Sequence, residues 1–132
     1  MKANQNFFRV WGGISGVQHT LPLLLTEGHV KRSLALDLLA RLTSLNVAKR
    51  FGFSDRKGSI AEGMDADLAL VDLHVTDKVE SDQLFYRHRH SPYAGRALTG
   101  RICQTILRGQ SIFQNGKIMA KPAGEFLKPR FR

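Results

Sequence analysis

The chain has 132 residues, 42% of them hydrophobic, enough for one domain with a core but well short of the roughly 250 residues that a complete eight-stranded α/β barrel needs. Cys103 is the only cysteine, which excludes an internal disulfide and fits a reducing compartment; no apolar run is long enough to span a membrane or to form the core of a signal peptide, so the cytoplasm is the default location. The net charge of +9 comes entirely from the last third: residues 1–86 hold ten Lys/Arg against ten Asp/Glu, whereas residues 87–132 hold ten Lys/Arg against Glu125 alone.

Residues 1–13 crowd Phe7, Phe8, Val10 and Trp11 ahead of the pair Gly12-Gly13 and read as a loop. A helix is predicted from Thr20, its N-cap, ahead of Pro22; Leu21, Leu24 and Leu25 give it an apolar face, and Gly28 is expected to stop it. A second helix starts after Ser33, with Leu34, Leu38 and Leu42 at a spacing of four and Leu39 beside them. A third, shorter helix runs from Ser44 or Asn46 to Gly52 and is expected to bury Val47, Ala48 and Phe51.

The stretch 57–72, KGSIAEGMDADLALVD, divides this helical part from a second part of short strands and turns. Gly58 and Gly63 mark backbone reversals around Ile60, which reads as a short strand, and the run Leu68-Ala69-Leu70-Val71 is predicted as a strand buried on both faces. Asp65 and Asp67 are the best carboxylate pair in the chain. Their place in a turn before a strand points to a structural task, accepting backbone N–H bonds.

Residues 75–79 read as another short strand, and Ser81 as the cap of a helical turn through Gln83, Leu84 and Phe85. Residues 87–93 read as irregular, because Pro92 biases Ser91 away from the helix. Residues 101–108 alternate as a strand containing Cys103, expected to be a buried structural thiol. Gly109-Gln110 turns, 111–114 return, and Asn115-Gly116 signals a hairpin into 117–120. The tail from Pro122 reads as extended. Basic residues of this third fall singly along predicted strands, at 96, 101, 108, 117 and 121, without interleaved aromatics, so a solvated basic face is expected ahead of a nucleic-acid interface.

Local signatures of chemistry are weak. Gly13-Ile14-Ser15-Gly16 lacks the strand–turn–helix spacing of a nucleophile elbow, and the Gly-rich start lacks the lysine and hydroxyl residue of a phosphate loop. His88-x-His90 has a metal-ligand spacing, but Arg89 stands between the two and opposes a bound cation; His19, His29 and His74 lie far apart in sequence. No catalytic residue and no metal ligand is expected in this chain.

Two neighbouring segments carry a family resemblance: Asn46-Val47-Ala48-Lys49-Arg50-Phe51-Gly52, and Lys57-Gly58 through Ile60 and Gly63 to Asp65-Ala66-Asp67-Leu68. Together they resemble the tail of the amidohydrolase superfamily, in which an N-P-A-K-x-F-G helix precedes K-G-x-I-x-x-G-x-D-A-D-L; Val47 stands where the family usually has proline. Three further pieces place the resemblance among the cyclic amidohydrolases, nearest to the allantoinases, with hydantoinases, dihydropyrimidinases and dihydroorotases as close alternatives. They are Trp11-Gly12-Gly13-Ile14-Ser15-Gly16, Tyr86-Arg87-His88 followed by Ser91-Pro92-Tyr93-Ala94-Gly95-Arg96, and Thr105-Ile106-Leu107-Arg108-Gly109. The likeness covers nearly the whole chain but only the last part of such enzymes.

This resemblance implies an α+β chain in which residues 1–52 form helices equivalent to the end of an incomplete TIM barrel and residues 53–132 form short strands of a composite β-sandwich, with a tail. It implies hydrolysis of ring C–N amide bonds at a binuclear metal centre, typically zinc, whose ligands in the family precede the point where this sequence begins. The chain alone is therefore expected to be inactive and to hold no cofactor. The backbone at Gly12, with Gly13 beside it, is expected to approach the cyclic substrate of an intact barrel, since glycine lets the main chain reach a ligand with no Cβ in the way. Without the barrel, Leu21, Leu24, Leu25, Leu38, Leu39, Phe51 and the hairpin edges need another partner. A second copy of the chain or a complementary N-terminal amidohydrolase segment is expected, with no nucleic acid and no membrane. The alternative reading is a non-catalytic, self-associating module.

Overall fold

The structure is a computed structural model and describes residues 6–9 and 12–130. Val10, Trp11 and the Phe7 side chain, on which the sequence places an aromatic cluster, lie outside the described residues. Helix α1 (Thr20–Leu24) follows a 3-10 turn, Val17–His19, and continues through wider π-type turns, Leu25–Val30, so the chain is helical from 17 to 32. Thr20 is not its N-cap: no side chain caps this end, and the Thr20 hydroxyl donates to the Gly16 carbonyl at 3.3 Å. Nor does Gly28 stop the helix. A Cβ there would meet Leu34 Cδ1 at 3.2 Å and Leu39 Cδ2 at 3.5 Å, so this glycine serves the close approach of the following segment. The helix ends instead at Ser33, φ 55°, whose N–H donates to His29 O while the Leu34 N–H donates to Gly28 O.

The two helices predicted next are one. α2 (Leu36–Ala40), a wide stretch Arg41–Leu45 and α3 (Asn46–Arg50) follow without a break. Each wide stretch holds a threonine whose hydroxyl donates at 2.8 Å to the carbonyl four residues back, Thr26 to Pro22 and Thr43 to Leu39. Occupying that acceptor loosens the regular ladder and favours pairing one residue further on. The widened turns change which side faces inward. Leu39 and Ala48 are buried, whereas Leu34, Leu42, Val47 and Phe51 are between 36% and 57% exposed, contrary to the expectation for Val47 and Phe51.

Four antiparallel strands, β1 (Leu68–Lys78), β2 (Ala97–Leu107), β3 (Gln110–Gln114) and β4 (Lys117–Ile118), form one sheet in the order β1-β2-β3-β4. Ile60 lies in an irregular stretch rather than a strand, and residues 75–78 continue β1 rather than forming a strand of their own. β1 is not buried on both faces either: Ala69 and Leu70 are exposed, and α1 covers the sheet from one side. Cys103 is half-buried, not enclosed. The hairpin at Asn115-Gly116 forms where the sequence signals it, with both residues at positive φ. Residues 87–93 contain no regular element, and the turn Ser81–Gln83 forms without a side-chain cap.

Between Asp72 and Thr76, β1 bulges outward, because three of its residues oppose only Gly100 of β2. Asp72 Oδ1 holds the bulge by accepting the His74 N–H at 2.9 Å. The helical segment 17–32 docks on β2 at the same place: a Cβ on Gly100 would lie 2.5 Å from Leu25 Cδ1, and Thr26 Oγ1 accepts the Thr99 N–H at 2.8 Å. Beside this contact Val79, Leu84 and Leu98 form a small core with Leu23 and Tyr86 against it. Leu25 and Leu39, expected to face outward toward a missing partner, are thus covered within the chain, at 4% and 3% exposure.

Candidate functional site

Two segments far apart in sequence meet around Gly12-Gly13. Residues 91–94 form a turn with proline in its second position, where its fixed φ suits the geometry, and the Ala94 N–H donates to Ser91 O at 3.2 Å. The buried Ser91 hydroxyl donates at 2.8 Å to the Ser15 carbonyl and accepts the Tyr93 N–H at 3.3 Å, which fastens the turn to the glycine loop. Below it, Tyr93 meets the His19 ring edge-on at 6.3 Å, and the Arg96 guanidinium lies 5.9 Å from the Tyr93 ring centre. Burial pushes the His19 imidazole below its ordinary pKa, consistent with a neutral ring. The result is a cleft of about 460 Å³ lined by Gly12, Gly13, Ile14, Ser15, His90 and Pro92. Open space lies where a Cβ on Gly12 would stand.

The histidine pair does not make a metal centre in this arrangement. His88 and His90 are both exposed, the His90 N–H donates to His88 O at 2.6 Å, and among the described residues no group of three His, Cys, Asp or Glu could hold an ion. The described residues do not fit a binuclear metal site.

Asp65 and Asp67 converge on Lys57, whose ammonium pairs with Asp65 at 2.7 Å and also with Asp67. Arg56 adds a two-pronged contact to Asp65, and Asp67 Oδ1 accepts the Arg108 N–H at 2.7 Å, tying the turn before β1 to the β2–β3 turn. The pair is structural, but only Asp67 accepts a backbone N–H, and that comes from the β2–β3 turn; Asp65 is held by the Arg56 and Lys57 side chains instead. The Lys57 hydrogen bond is the main cause holding Asp65 below the usual carboxylate range. Burial pushes Asp67 up, but the bonds from Lys57 and Arg108 outweigh it and leave it lowered; burial likewise lowers Lys57, and its two carboxylates raise it on balance.

The signs fix a pH window. Carboxylates lowered by folding stabilise the fold above their unfolded pKa of about 4, and this support is lost as pH falls through the folded values. A lysine raised by folding stabilises it below about pH 10, and that support is lost as pH rises through its folded value. Replacing Lys57 with methionine should therefore lower the thermal midpoint most at neutral pH and least in acid. Differential scanning calorimetry at several pH values checks this, and an equal loss at every pH would rule out the ionic role.

The basic third is partly neutralised by three acids from the rest of the chain and by its own Glu125. Arg96 pairs with Glu27 at 3.0 Å, Arg101 with Asp77, Arg108 with Glu125 at 3.3 Å and Arg130 with Asp55 at 3.4 Å. Among the described residues no helix is long and apolar enough to cross a membrane.

Residues 13–112 match the model of the amidohydrolase family. The chain is similar to an allantoinase of Rubrobacter xylanophilus, 52% identical over 130 residues that make up 98% of this chain and 28% of that protein. Among solved structures it is similar to the L-hydantoinase (dihydropyrimidinase) of Arthrobacter aurescens, with 32% identity and a TM-score of 0.82 over 88% of this chain and 26% of that one. A D-hydantoinase matches 95% of this chain and 27% of its own, with 29% identity and a TM-score of 0.87. The chain thus spans 28% of the length of the allantoinase it matches.

Proposed function

The chain belongs to the amidohydrolase family, and from that premise we propose that it serves as the C-terminal portion of an allantoinase-like enzyme hydrolysing ring amide bonds. What supports this reading most is the alignment of 98% of the chain, at 52% identity, with little more than a quarter of an allantoinase. In this reading residues 1–52 supply the last helices of the barrel, and residues 53–132 supply part of a composite sandwich and the tail. The chain's own task is positional: the backbone at Gly12, with Gly13 beside it, meets the cyclic substrate, and the metal ligands belong to a complementary N-terminal amidohydrolase segment. The purified chain alone, with added Zn²⁺, Co²⁺ or Mn²⁺, should not open allantoin, hydantoin or dihydroorotate. Metal-dependent turnover by the chain alone would overturn this reading.

A second reading, a non-catalytic self-associating module, is favoured by the exposed apolar side chains Leu34, Leu42, Val47 and Phe51, on and beside the helical segment from 36 to 50. Light scattering across a dilution series on the same samples separates the two. A stable homodimer that Leu42→Glu dissociates would bring this module to the front.

A further inference from the structure

Among the described residues His90 is the one titratable side chain lining the Gly12–Gly13 cleft, and no role in ring binding attaches to it in sequence. It reaches the cleft because Ser91, one residue on, is buried and bonded to Ser15 O, which fixes the backbone of the 90–93 segment against the glycine loop. Pro92, on the other side of Ser91, lines the same cleft and restricts the chain further. His90 lines the cleft and is exposed, so its imidazole is available to a ligand.

We infer that His90 contacts the cyclic substrate, hydrogen-bonding the ring edge opposite the Gly12 backbone. This inference rests on the reading that Gly12 approaches the ring. Its ligand class is a neutral cyclic ureide, whose edge alternates N–H donors and carbonyl acceptors. A neutral imidazole offers one donor and one acceptor, and it can complement either element of such an edge. The cleft thus combines a glycine backbone with open space at its Cβ position and an imidazole. Small-molecule sites pair an apolar wall with a few placed polar groups in this way. His90 acts here by binding and orienting the ring, with no proton or metal assigned to it.

Nuclear magnetic resonance on this chain joined to the remainder of the Rubrobacter xylanophilus allantoinase, isotope-labelled, kept metal-free so that no ring is opened, and titrated with allantoin and with hydantoin, tests the assignment. Resonances of Gly12 and of the His90 ring should shift together and saturably. His90→Ala should weaken the response at Gly12 by about 2- to 12-fold, the worth of one hydrogen bond. His90→Asn, which keeps a donor and an acceptor, should recover part of it, and Arg89→Ala should leave it unchanged. Because His90 is exposed, the substituted chains should keep the parent's dispersed spectrum. Shifts at Gly12 that His90→Ala leaves intact would overturn the inference while keeping the ring-binding reading of the cleft. Absence of any saturable shift at Gly12 in the joined protein carrying the parent sequence would overturn both.

Discussion

Alanine at position 58 should destabilise the chain by about 2–5 kcal/mol, a large part of the roughly 5–15 kcal/mol a domain of this kind holds. Gly58 has φ +95°, a conformation that costs any residue with a Cβ strain energy. A Cβ there would also lie 2.7 Å from the Ala48 Cβ and 3.0 Å from the Leu45 Cα. The second of these is backbone and cannot swing aside, so α3 or the 57–67 turn must move. That displacement would loosen the Lys57–Asp65–Asp67 cluster, which holds the turn before β1. Gly63 is the control: its φ is +80°, but nothing lies within 4 Å of an added Cβ, so Gly63→Ala should show the backbone strain alone. Urea denaturation compares the two, and equal losses at both sites would show that the contact with α3 contributes nothing.

The parts of this fold that obey local rules are legible in the sequence. Asn115-Gly116 specifies its hairpin because both residues tolerate positive φ, and Pro92 with Ser91 specifies the irregular stretch that ends in a turn. Asp65 and Asp67 declare a turn-holding role through residue type and position, and the structure gives them Lys57, Arg56 and the Arg108 N–H.

The helices depart from their sequence pattern for a reason of geometry. A period of 3.6 assigns Leu34, Leu38 and Leu42 to the inner face with Leu39 beside them, and Val47, Ala48 and Phe51 further on; the Thr43 hydroxyl widens the turn between, and of these only Leu39 and Ala48 are buried. The length of β1 is hidden because its bulge opposite Gly100 breaks the alternation into what reads as two strands. The cleft is half visible. Gly12 and Gly13 stand out as a glycine pair, whereas His90 joins them only through the Ser91–Ser15 bond, across 76 positions of chain, and no local pattern encodes such a meeting. His88 and His90 draw attention for their metal-like spacing, although the contact that distinguishes His90 is the cleft.

The largest expected effect is a gain of activity when this chain is given the rest of an enzyme. In the intact arrangement the Gly12 cleft would close one side of the substrate site, while the bare side chains Leu34, Leu42, Val47 and Phe51 and the open strand edges would meet the remaining polypeptide. Burial of each such leucine or phenylalanine is worth about 1.5–3 kcal/mol, so the joined protein should also be more stable than either part. A chimera tests this directly: the allantoinase of Rubrobacter xylanophilus with the stretch that aligns to this chain replaced by the chain itself. Allantoin consumption is then followed with and without a metal chelator. The account predicts metal-dependent ring opening by the chimera, and none by the same allantoinase lacking that stretch or by this chain alone. A folded, metal-loaded chimera that opens no allantoin would contradict it.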